Sequence, residues 1–213
     1  MEKTLCLFLF LFVFIAGKSQ GAVSYKDVSF QSIYKQISLR SSVADGKKII
    51  RKWDREIKIF GSYGITVNMK EELEKTIRTL NPLLGNIKIV WVAEQEQANF
   101  IIAFDKNQKT TFSLVWDIAG NIQKGTININ KEEGFNEEEL SRKAQQFLLK
   151  SLGNFAFKDA EIKEEKAVKC LLAYYKTDIS PFDLEVIKLH YSKGIETGMY
   201  EKDLEEYLKK LKK

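Results

Sequence analysis

Gln146 and Lys150 lie four residues apart in "SRKAQQFLLKSLGNF" (Ser141–Phe155), and Phe147 follows the first of them. In a helix, that spacing puts Gln146 and Lys150 on one face, about one turn apart. A helix grips zinc in this way when both positions are imidazoles and the residue after the first is a glutamate acting as general base. None of the three residues here suits that chemistry. Gln146 offers a neutral, weak amide ligand, Phe147 accepts no proton, and Lys150 brings an ammonium to the place of a divalent cation. At about 4 Å and an effective dielectric near 20, one pair of like unit charges repels by about 4 kcal/mol. Sliding the register does not help, because His190 is the only histidine in the chain.

The other reactive residue types are thinly spread. His190, in "IKLHYSKG", and Cys170, in "AVKCLLAYY", sit among apolar residues and are expected to be buried structural groups. No Gly-x-Ser-x-Gly elbow presents a serine nucleophile. "GSYG" (Gly61–Gly64) lacks the lysine and the spacing of a phosphate loop and reads as a turn. Glu137, Glu138 and Glu139 are consecutive, so they fan out around a helix and favour its N-terminus rather than converge on an ion. No cofactor is expected.

The chain has 213 residues, 44% hydrophobic and 30% charged, enough for one sizeable core and short for two. An unbroken apolar run, "LCLFLFLFVFIA" (Leu5–Ala16), precedes "GKSQGA", whose small residues Ser19 and Gly21 have signal-peptidase spacing. Its helical length of about 18 Å falls short of a hydrocarbon core of about 30 Å. Residues 1–21 are therefore read as a secretory signal peptide, 22–48 as an N-terminal segment and 49–213 as a single domain. An uncleaved anchor is the rival reading. Cys6 stands at the start of the run, where a lipoprotein would have it at the end. Cleavage leaves Cys170 as the lone thiol, hence no internal disulfide, and lowers the net charge from +5 to +4. Acidic and basic residues are interspersed, so nucleic-acid binding is not indicated.

The elements that would position these groups follow from periodicity. "DVSFQSIYKQISL" predicts a short helix and "SSVADGKK" a loop. Ile57 and Ile59 alternate in a strand, and Asn68 with Glu71 starts a helix whose buried stripe is Leu73, Ile77 and Leu80. "IKIVWVA" and "ANFIIAFD" are strands; "TTFSLVWD" and "GTININ" are two more, around the turn "IAGNIQK". Asn136 with Glu139 caps a helix ending at Gly153. Ser180, Pro181 and Asp183 open another helix that Gly194 ends. A last amphipathic helix carries Leu204, Tyr207, Leu208 and Leu211 on one face. The fold class is α+β: a mixed twisted sheet, its first two strands parallel and later neighbours antiparallel, with packed helices and a helical C-terminal part.

This order resembles the zincin fold of matrixin-like metalloproteases. "WDREIKIF" looks like the first zincin strand, "ANFIIAF" like the strand that often opens with Ala-Asn, and "GNIQKGTININ" like the antiparallel strand before the active-site helix. "SLGNF" is how such a helix often stops. With Gly153 as anchor, the family's two helical ligands and base fall on Gln146, Lys150 and Phe147, and the third ligand on Ala156. The resemblance implies the frame, while the residues reject the metal. The C-terminal half is also similar to a bacterial family of secreted proteins and lipoproteins of unassigned function. Its motif positions here are Gly153, Asp183, Tyr191, Gly198 and Met199. Asp183 is already explained as a helix cap by its spacing from Ser180.

In zincins an extended substrate pairs with the edge strand beside the active-site helix, here "TFSLVWD", where Phe112 and Trp116 share a parity and line a candidate cleft. The expectation is a non-catalytic secreted or periplasmic binding or assembly protein, a pseudo-metalloprotease engaging a polypeptide or cell-envelope component. It would have no transmembrane anchor after cleavage. The alternative is a cell-envelope hydrolase with an active site of another kind, which needs ionisable side chains converging in a pocket. A third reading is a structural domain whose last helix, with Lys209, Lys210, Lys212 and Lys213, docks on a neighbour.

Overall fold

A computed structural model describes residues 24–42, 44–62, 64–133, 135–157 and 169–211. The leader with Cys6, Tyr63, most of the connection after Phe157, and Lys212 and Lys213 lie outside the described residues. Helix α1 (Val28–Ser38) leads into a hairpin of β1 (Leu39–Ser41) and β2 (Lys48–Ile50), followed by β3 (Lys52–Trp53) and β4 (Ile57–Gly61). Helix α2 (Val67–Leu80) crosses to β5 (Ile89–Trp91). Strands β6 (Phe100–Phe104), β7 (Thr111–Trp116) and β8 (Asn121–Ile129) precede α3 (Glu137–Ser151). Helices α4 (Pro181–His190) and α5 (Glu201–Lys210) complete it. Among the described residues no helix is long and apolar enough to cross a membrane.

The chain mixes α and β elements around a mostly parallel sheet. Strand β4 runs parallel to β5 and β6, and β6 runs parallel to β8. Strand β7 lies antiparallel along one edge of β8 from Ile122 to Asn128, so β3 and β6 divide the other edge. Alternation sorts the side chains by face. Ile57, Ile59, Phe100, Ile102, Phe104, Ile127 and Ile129 are buried on the helix-covered side. Phe60, Ile101, Ala103, Thr126 and Asn128 on the opposite side are half-buried, and Ser113 and Val115 are exposed. Helices α2 and α3 pack on each other, and α3 lies against β8 and β7.

Several expectations need correction. The expected antiparallel neighbours reduce to one: β8 is antiparallel only to β7, and β6 and β7 do not pair because β8 runs between them. The expected turn "IAGNIQK" is mostly strand, because Asp117 alone closes it. Its carboxylate accepts from the Asn121 backbone and side chain, each at 2.9 Å, which lets β8 begin at Asn121. Thr66, rather than Asn68, caps α2; its hydroxyl accepts from the Met69 N–H at 3.2 Å. The stripe of Leu73, Ile77 and Leu80 is buried as expected. So are the two capping boxes, Asn136 with Glu139 and Ser180 with Asp183. Helix α4 stops at His190, before Gly194, whose lack of a side chain instead admits the Tyr207 ring. The loop "SSVADGKK" is the tip of the β1–β2 hairpin, and Leu39 belongs to that hairpin rather than to α1.

The end of α3 also departs from expectation. Helical backbone stops at Ser151, and Asn154, not Gly153, takes the left-handed conformation at φ 52°. The Phe155 N–H then bonds back to the Lys150 carbonyl at 2.8 Å, closing a Schellman-type end. Gly153 is required for a different reason. A Cβ there would lie 2.4 Å from the Phe155 ring and 2.7 Å from Nε2 of His190.

Candidate functional site

On α3, Gln146 is 3% exposed, and its side chain points at the chain rather than at solvent. Its Nε2 donates to the carbonyls of Leu171 at 3.0 Å and Leu172 at 3.5 Å. The N–H groups of the same two residues, each at 2.9 Å, donate to the two carboxylate oxygens of Asp183. Both peptide donors and both peptide acceptors of Leu171–Leu172 are thus taken up by side chains from two helices. This is the accounting that a buried turn demands. Asp183 also accepts from the Ser180 N–H at 2.8 Å and the Ser180 hydroxyl at 2.7 Å, so its capping role is one part of a larger one. Cys170, Leu171 and Leu172 are fully buried. Burial, and then the Asp183 charge, push the Cys170 thiol far above its ordinary range, as suits an inert core group. Lys150 is half-buried and close enough to Cys170 to act on that thiol electrostatically.

Phe147 faces β7. Its ring lies 5.2 Å from that of Phe112, which ties the helix to the edge strand. The Lys143 ammonium sits 5.0 Å from the Phe147 ring and 4.7 Å from the Tyr175 ring. Trp116, at the other end of β7, is covered by the Arg51 guanidinium at 3.7 Å, and Arg51 donates to the Ser41 carbonyl at 2.6 Å. Phe112 and Trp116 are therefore half-buried packing residues that line the inner margin of β7. Ala156, the position of a third ligand, is held through its backbone instead. Its N–H reaches the Ile37 carbonyl at 3.1 Å, and Arg40 donates to its carbonyl at 3.1 Å.

The remaining motif residues build the frame. His190 is fully buried; its Nε2 lies 2.9 Å from the Arg51 carbonyl and its Nδ1 lies 3.0 Å from the Tyr34 hydroxyl. A carbonyl can only accept, so Nε2 carries the proton and Nδ1 accepts from Tyr34. Burial, with the Lys52 charge adding to it, holds the imidazole pKa down to about 3. Tyr191 donates to the Leu152 carbonyl at 2.7 Å, and Trp53 donates to the Ser151 carbonyl at 3.1 Å, satisfying the last turn of α3. Gly198, at φ +77°, donates to the Ile50 carbonyl at 2.9 Å, and the Met199 carbonyl accepts from Ile50 at 3.0 Å. This pair fastens the C-terminal part to β2.

Sequence reasoning missed Tyr34, Arg51 and Lys52, which carry no local signal. Burial lowers the Lys52 pKa to about 8, and its ammonium donates to the Ile195 carbonyl at 2.7 Å. These shifted groups share the interior with His190 instead of lining a cleft. A surface cavity of about 540 Å³ does lie between α2 and α3, bordered by Glu72, Glu137, Glu138, Arg142 and Asp178. Its charged groups are largely spoken for. Arg142 bridges Glu138 at 2.8 Å and Asp178 at 3.4 Å, and Thr66 donates to Glu137 at 2.6 Å. Among the described residues no three His, Cys, Asp or Glu side chains converge to hold a metal ion. A scan against protein-family models matches none, and a search of curated proteins returns no significant match.

Proposed function

We propose that this chain is a non-catalytic binding or assembly protein on a zincin-like frame, a pseudo-metalloprotease secreted or held in the periplasm. Its partner is a polypeptide or a cell-envelope component. The observation that carries this reading is Gln146. At the position of a first zinc ligand, the side chain serves as a clamp for the Leu171–Leu172 turn, which lies over that part of α3. Supporting it are a first helix and a second helix packed together, with the second against β7 and β8, and an edge strand beside that second helix. The edge is what such a frame keeps when the metal is lost. A strand edge offers paired N–H and C=O groups to any extended segment that can run alongside it.

Metal analysis of the purified protein after gel filtration tests the reading. The expected zinc content is far below one per chain, unchanged in Gln146→Ala. About one tightly held zinc per chain, removed by chelator, would overturn it.

A further inference from the structure

We propose that the strand added to β7 is β7 of a second copy of this chain, antiparallel about a two-fold axis at Ser113. The inference rests on the reading of β7 as a strand-accepting edge and names its partner. Three observations carry it.

The first is which backbone groups face outward. The Gly125 N–H donates to the Asn99 carbonyl and the Ile129 carbonyl accepts from Asp105, so alternate residues of β8 at these positions face β6. Thr126 and Asn128, lying between, face β7, and their partners there are Ser113 and Thr111. By alternation Phe112 and Leu114 turn their N–H and C=O groups away from β8. Neither group has a backbone partner elsewhere among the described residues. A two-fold at Ser113 sets Phe112 opposite Leu114 of the second copy and Leu114 opposite its Phe112, giving two hydrogen-bonded pairs of outward-facing residues. Thr110 does not extend the ladder, because its N–H is taken by Glu133 at 3.1 Å.

The second observation is charge. In this register Lys109 falls opposite Asp117 of the second copy, at both ends of the pairing. Asp117 is an anion there, its carboxylate held below the usual range by the Asn121 amide. Exposed pairs of this kind add little affinity but select register. The third is the absence of the usual edge protection. Thr111–Trp116 contains no charged residue and no proline, and Val115 is 58% exposed and Ile118 82%.

Analytical ultracentrifugation with site-directed cross-linking tests this, in a Cys6→Ser background so that buried Cys170 is the sole native thiol. The chain is expected to sediment as a dimer. Ser113→Cys should give a disulfide-linked dimer on mild oxidation, because facing residues in a non-hydrogen-bonded pair stand about 4.5 Å apart, within disulfide reach. Thr111→Cys alone should not link, whereas Thr111→Cys with Val115→Cys should. Ser113→Lys, on the solvent side of the sheet, should weaken dimerisation by roughly tenfold or more at an unchanged melting temperature. A monomer at all concentrations overturns the second copy as partner and leaves a foreign strand at β7 standing. A dimer indifferent to Ser113→Lys and unlinked in Ser113→Cys overturns this pairing. Stoichiometric zinc would overturn the non-catalytic reading without touching the dimer.

Discussion

Replacing Asp183 with alanine is expected to cost about 3–5 kcal/mol of folding stability, a drop of roughly 10 °C or more in Tm. The carboxylate accepts four hydrogen bonds, from the N–H groups of Leu171, Leu172 and Ser180 and from the Ser180 hydroxyl, at 2.7–2.9 Å. Asp183 is fully buried, so no water stands ready to replace it. Alanine leaves the N–H groups of the Leu171–Leu172 turn without acceptors, and stranding buried donors costs more than a typical bond contributes. Asp183→Asn should recover only part of the loss, since one of its two positions would present N–H to N–H. Thermal unfolding of the three proteins at neutral pH checks this. A change within 2 °C for Asp183→Ala would show that the turn does not depend on the carboxylate.

The second large effect is on acid stability. His190 stays neutral in the fold down to about pH 3, because burial and Lys52 both oppose its charge, whereas the unfolded imidazole takes up a proton below its model value of 6.5. Between those values the unfolded state binds one more proton, so stability rises with pH. The contribution is complete above about pH 6.5 and is lost progressively as pH falls toward 3, at about 1.4 kcal/mol per pH unit and at most about 5 kcal/mol in all. The ring's neighbours are Tyr34, Phe155 and Tyr191, so no carboxylate stabilises an imidazolium there. Urea unfolding of wild type and His190→Gln from pH 7 to pH 4 isolates the term. The variant is less stable at pH 7 but loses less on acidification; superimposable pH profiles would contradict the neutral buried imidazole.

Local features were legible in the sequence, and features made by distant residues were not. The capping boxes at Asn136–Glu139 and Ser180–Asp183 close within four residues, so the sequence contains both halves of each. The α2 stripe is likewise set by its own period. Gln146 was readable as an unfit ligand, because its chemistry is intrinsic to the residue. Its role as a clamp was not, because its partners lie 25 and 26 residues along the chain. Gly153 shows the same limit. Its place at a helix end suggested a left-handed cap, yet Asn154 supplies that conformation, and what excludes a side chain at 153 is Phe155 with His190. The β1–β2 hairpin escaped notice because β2 is fastened by Gly198, Met199 and Tyr200, about 150 residues on. Polar Asn121 and Gln123 suggested a turn, but both serve Asp117 from within a strand.

Hydrogen exchange of the Leu171 and Leu172 amides in the native protein, followed by NMR, asks most directly whether the clamp seals this part of α3. Both N–H groups are bonded to Asp183 in a fully buried turn, so they should exchange only with global unfolding, at rates matching the core amides of β6 and β8. Gln146→Ala should speed both while leaving the β6 and β8 amides unchanged relative to global stability. Exchange of Leu171 and Leu172 in the wild-type protein as fast as that of a frayed terminus would mean the turn lifts off α3, and the account built on Gln146 would fail.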